Sequence, residues 1–173
     1  MKAIVVYESL WGNTRAVAEA VAAGIGKGAI ALATDETTPG IVAGCDLIVA
    51  GAPVHAFRLA SDASRQRLGR DTVGAESPPD LDHPALRTWL ESLPAGRGRS
   101  AAFDTRLWWS PGSATGTITK LLERAGYTPI ARSEKFIVDG THGPLRSGEV
   151  ERARAWGAAL AAAVSREAPA RAA

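Results

Sequence analysis

The chain has 173 residues, 46% of them apolar, enough to bury one substantial core and short for two. Charged residues make up 22% and nearly cancel to a formal +2, so there is neither a nucleic-acid-binding tail nor a polybasic membrane patch, and no apolar run approaches the roughly 20 residues of a membrane helix. One cysteine, Cys45, excludes an intramolecular disulfide, and with only three histidines beside it there is no structural metal pattern.

The N-terminus MKAIVVYES reads as a strand over AIVVY (3–7) rather than a signal peptide, because its apolar part is too short and no cleavage site follows; a cytoplasmic location is expected. The stretch then turns through Ser9, Gly12, Asn13 and Thr14 into a helical stripe of Val17, Val21 and Ile25. A weaker apolar run, AIALA (29–33), precedes ETTPGIVAGCD, which leaves room for a turn or two of helix. DLIVAGA (46–52) is the third strand. From Arg58 to Asp82 the chain is polar, carries Arg58, Arg65, Arg67 and Arg70, and shows no docking stripe. Connections of that length in a compact domain are usually functional, so the 58–82 insertion is expected to be a lid over the end of the sheet where α/β proteins bind ligands.

Pro84 suits the first position of a helix carrying Leu86, Trp89, Leu90 and Leu93. SAAFD (100–104) is the fourth strand, and Ile118, Leu121, Leu122 and Ala125 form a stripe that Gly126 ends. KFIVD (135–139) is the fifth strand. The last helix carries Val150, Ala153, Trp156, Leu160 and Val164; a domain over 1–165 is expected, with 166–173 as a frayed tail. Continuously apolar strands alternating with helices indicate a parallel sheet covered on both faces, an α/β fold.

The first turn carries the clearest chemistry. A strand running through Gly12 into a helix aims free backbone N–H groups and the positive end of a helix dipole at one point, and Ser9, Asn13 and Thr14 add side-chain donors. A phosphate monoester fits that place; alternatively, Asn13 or Thr14 simply caps the helix. Neither a P-loop nor a dinucleotide fingerprint is present. GSATG (112–116) could hold a second anion but is read first as helix capping, and no catalytic triad, Cys-His pair or carboxylate pair stands out.

The stretch VVYESLWGNTRAVAEAV resembles the phosphate-binding loop of the flavodoxin family, and the order of elements, with DLIVAGAPVHAF after the third strand and AAFDTRLWW after the fourth, is similar along nearly the whole chain. The resemblance implies a three-layer, doubly wound, five-stranded parallel sheet of order 2-1-3-4-5 that binds FMN. Ser9, Leu10, Trp11, Gly12, Asn13 and Thr14 would hold the phosphate. Pro53, Val54, His55, Ala56 and Phe57, with Asp104, Thr105, Arg106 and Trp108, would hold the ring; Trp108 or Trp109 would stack on it while the other packs inward.

Three departures from the family pattern bear on function. Trp11 stands where a hydroxyl residue is usual, which removes one phosphate donor. No glycine occurs between Gly51 and Gly69, where family members that carry single electrons commonly place one beside the flavin N5. The charge is near neutral, whereas the family's carriers are strongly acidic. The resemblance therefore implies an FMN-binding redox protein serving electron transfer with a specific partner protein, or FMN-dependent reduction of a small acceptor such as a quinone. The alternative is a flavodoxin-like binding module that has lost flavin and binds another anion or a protein partner. Nucleic acid, metal and membrane insertion are not expected.

Overall fold

The computed structural model describes residues 1–55, 57–68, 75 and 77–167. Strand β1 (Ala3–Tyr7) is buried at every position. Its alternate residues enter two separate cores. Ala3, Val5 and Tyr7 face helices α1 (Asn13–Ile25) and α6 (Glu149–Glu167), while Ile4 and Val6 face the side covered by α4 (Leu86–Glu91) and α5 (Thr115–Arg124). The same division runs through β3 (Leu47–His55), where Leu47 and Val49 oppose Ile48 and Ala50. This is the physical content of a continuously apolar strand: each face has its own helical cover.

β1 pairs in parallel with β2 (Ala29–Ala33) on one side and with β3 on the other, and β3 pairs in parallel with β5 (Arg99–Leu107). The expected doubly wound order holds, with one difference at the fifth place. Two pieces share it: β6 (Thr128–Pro129) pairs with Arg99 and Ser100, and β7 (Glu134–Val138) pairs with Phe103 to Leu107. Pro129 has no N–H to continue a ladder, so the edge is interrupted and resumes higher up β5.

α1 and α6 lie close because both carry a glycine at the crossing. A Cβ on Gly24 would strike the backbone carbonyl of Arg154, and one on Gly157 would strike that of Val21. Helix α2 (Pro39–Val42) is one turn, within the turn or two expected. Helix α4 begins at Leu86, not at Pro84, because Pro84 uses its carbonyl to accept from the Thr34 hydroxyl at 2.7 Å and the Leu86 N–H is taken by Glu8 Oε2 at 2.7 Å. Helix α6 continues through Arg166 and Glu167, which forms an ion pair with Arg99 at 2.7 Å. The remainder of the expected tail, 168–173, lies outside the described residues.

Within the 58–82 insertion, the described residues include a strand and a helix. β4 (Arg58–Leu59) folds back antiparallel on β3, pairing Val54 with Leu59 and His55 with Arg58. Helix α3 (Asp62–Leu68) follows, with Leu59, Ala60 and Arg65 all buried. This part is docked by a buried arginine rather than an apolar stripe, so a search for apolar periodicity passes over it. Residues 69–74 and 76, including Arg70, lie outside the described residues. Among the described residues no helix is long and apolar enough to cross a membrane.

Candidate functional site

A narrow cleft opens at the C-terminal ends of β1, β3 and β5. Ser9, Leu10, Trp11, Asn13 and Thr14 form one wall, Pro53, Val54 and His55 a second, and Thr105, Arg106, Leu107 and Ser110 a third; Val138 and Thr141 close the far end. Three loops separated by about fifty residues each in the chain therefore meet at one place, as the parallel topology requires.

The β1–α1 turn shows how its N–H groups are left free. Gly12 sits at the cap position of α1 with φ of 84°, a left-handed conformation that glycine adopts without steric cost, and no side chain caps the helix. Asn13 and Thr14 are thus not the caps. Asn13 Nδ2 donates to the His142 carbonyl at 2.9 Å, and the Thr14 hydroxyl meets that of Thr105 at 2.8 Å. Of the two hydroxyl protons in the Thr14–Thr105 pair, one closes that bond and the other is available to an acceptor in the cleft. The first turn of α1 holds no acidic residue, so the positive end of its dipole is uncompensated.

Three buried polar atoms at this cleft have no partner in the protein: Ser9 Oγ, Trp11 Nε1 and His55 Nε2. Leaving such a group unpaired costs about 1–3 kcal/mol, so their convergence marks a place for a polar ligand. Ser9 is only 6% exposed. His55 is driven down to about 4, by burial first and by the Arg65 charge second, and is a neutral imidazole at physiological pH. Trp11 spans the cleft, with its ring centroid 6.5 Å from that of His55 and 4.6 Å from that of His142.

No family model and no curated protein matches the sequence. Among solved structures, the chain is similar to a flavodoxin from the domain Archaea, with a TM-score of 0.66 at 21% identity over 95% of this chain and 99% of that one. The chain has the flavodoxin fold. It is similar also to the Streptococcus pneumonia TIGR4 flavodoxin, with a TM-score of 0.64 at 15% identity over 94% and 99% of the two chains. A rubredoxin oxygen:oxidoreductase from Desulfovibrio gigas matches at a TM-score of 0.63 and 15% identity over 98% of this chain, which spans 37% of that one.

Within this flavodoxin fold, Ser9, Leu10, Trp11, Asn13, Thr14, Pro53, Val54, His55, Thr105 and Arg106 line one cleft, while Gly12 turns the chain beside it without lining it. Asp104 does not join them. It is fully buried, and its Oδ2 accepts from the Ser113 hydroxyl at 2.8 Å and the Ala114 N–H at 3.0 Å, so it anchors the start of α5 instead of facing the cleft. Burial raises the Asp104 carboxyl, while those two donors pull it back down. Trp108 and Trp109 are 69% and 61% exposed; neither packs inward, and neither lines the cleft.

Phe57 is also exposed, in the turn between β3 and β4, where its carbonyl accepts from the Ser113 N–H at 3.1 Å. Ala56 lies outside the described residues. Ser110, Val138 and Thr141 line the cleft without having been singled out from the sequence, and Leu107, at the end of β5, joins them.

A buried polar chain backs the first loop. Glu8, fully buried, lies 3.1 Å from Arg65 Nε, and Arg65 donates to the His83 carbonyl at 2.6 Å and to His83 Nδ1 at 3.0 Å. Burial raises the Glu8 carboxyl, against the Leu86 N–H and the Arg65 charge, which lower it. Its members are scattered over residues 8, 65 and 83, and no spacing in the sequence connects them.

Proposed function

We propose that this protein binds FMN and works as a flavodoxin-like redox protein in the cytoplasm, exchanging electrons with a partner protein or reducing a small acceptor such as a quinone. The observation that carries the reading is the unpartnered, buried Ser9 hydroxyl beside the uncapped start of α1, which suits a phosphate dianion. The flavin supplies the redox chemistry, and the chain supplies its placement.

Ser9, the spare Thr14–Thr105 proton and the backbone N–H groups of the turn hold the phosphate. His55, neutral and with Nε2 unpartnered, and the Trp11 indole N–H offer polar contacts to the ring, and Pro53, Val54 and Leu107 exclude water from it. The anion loop, rather than net charge, is the source of specificity in this reading, since the chain is nearly neutral.

The test is an absorption spectrum with added FMN, followed by fluorescence titration of FMN and riboflavin. FMN should bind much more tightly than riboflavin, and Ser9→Ala should weaken FMN by about tenfold, the worth of one charge-assisted hydrogen bond, without affecting riboflavin. Equal affinities for the two flavins would overturn the phosphate site. Binding of inorganic phosphate with no flavin bound at all would instead establish an anion-binding module that has lost flavin.

A further inference from the structure

The segment that closes the insertion holds the anion turn from behind. His83 is buried, and its Nδ1 accepts from Arg65, which has only donors to give; its proton is therefore on Nε2, which donates to the Ser9 carbonyl at 3.3 Å. One residue further along the turn, the Leu10 carbonyl accepts from the Asp80 N–H at 2.9 Å. Two consecutive carbonyls of the loop are thus drawn toward residues 80–83. A trans peptide is planar, with its N–H antiparallel to its C=O. Holding the Ser9 and Leu10 carbonyls on one side turns the N–H groups of Leu10 and Trp11 to the other.

We propose that His83, fixed by Arg65 on the buried Glu8 carboxylate, and the Asp80 backbone N–H are positioning groups for the anion turn. They set two consecutive backbone donors toward the phosphate that the proposed FMN site takes. The inference rests on that site for its ligand but concerns residues outside the cleft. None of Glu8, Arg65, Asp80 or His83 lines it. The insertion is, on this account, a brace for the phosphate loop: Glu8 receives the Leu86 N–H on one oxygen and faces Arg65 with the other, so β1, α3 and the start of α4 are tied at a single buried point.

The experiment compares His83→Ala, His83→Gln and Asp80→Pro with the wild type by fluorescence titration of FMN and riboflavin, and by phosphorus NMR line broadening of inorganic phosphate. His83→Ala should lose about tenfold in FMN and in phosphate affinity with riboflavin unchanged, His83→Gln, which keeps a donor near the Nε2 position, should recover most of it, and Asp80→Pro should lose several-fold. Asp80 is an exposed side chain, so the proline variant carries the test if His83→Ala does not fold. Equal losses for FMN and riboflavin, or no loss for either, would overturn the proposal. A wild type that binds phosphate but not FMN, with phosphate binding lost in His83→Ala, would remove the flavin reading and uphold the brace. A wild type that binds neither would overturn both.

Discussion

Replacing His55 by Gln should change how the stability of the flavin-free protein depends on pH. The imidazole falls from 6.5 to about 4 on folding, chiefly because burial disfavours its charged form and secondarily because Arg65 repels it. The unfolded chain therefore takes up a proton between these values that the native state refuses, and stability is lost as the pH drops through that window. At about 1.4 kcal/mol for each pH unit, the native state loses about 2 kcal/mol by roughly pH 5. Glu8 and Asp104 act in the opposite sense: burial raises both carboxyls, so their relative contribution is present at low pH and is lost as the pH rises.

Only the difference between wild type and variant isolates the histidine. Urea unfolding at neutral pH and at roughly pH 5 should show the wild type losing about 2 kcal/mol more than His55→Gln over the interval. Identical losses would mean that the imidazole is solvated, and the assignment of a neutral His55 to the cleft would be withdrawn.

Arg65→Ala leaves the buried Glu8 without its ion pair and should destabilise the fold by about 3 kcal/mol at neutral pH; because the loss of Arg65 raises Glu8 further, unfolding at low pH should show a smaller penalty. Phe57 has φ of 68° and a largely exposed ring, so Phe57→Asn, a residue that tolerates this conformation, should raise stability by about 1 kcal/mol in thermal unfolding. Gly157→Ala places a methyl against the Val21 carbonyl and should lower stability by about 1–3 kcal/mol, measured by urea unfolding with an unchanged m-value.

Local pattern was enough for the α/β class, the strands of the main sheet and the glycine turn between β1 and α1, because each rests on residues adjacent in sequence. AIVVY is buried on both faces as its unbroken apolar run implies, and Gly12 takes the left-handed cap that brings α1 out of β1. Gly126, with φ of 91°, ends α5 where its place after the apolar stripe indicates. What the tertiary structure decided involves partners far apart in the chain. Pro129 splits the edge of the sheet only because Ser100 and Phe103 on β5 offer two separate pairing sites. Asp104 looks like a cleft residue from its place at the end of a strand, but two donors at Ser113 and Ala114 turn it into an anchor for α5. The 58–82 insertion reads as a lid because periodicity detects only apolar faces; in its described part Arg65 is buried against Glu8 and His83, and such a pairing leaves no period in the sequence and exists only once β1 and α3 have been brought together.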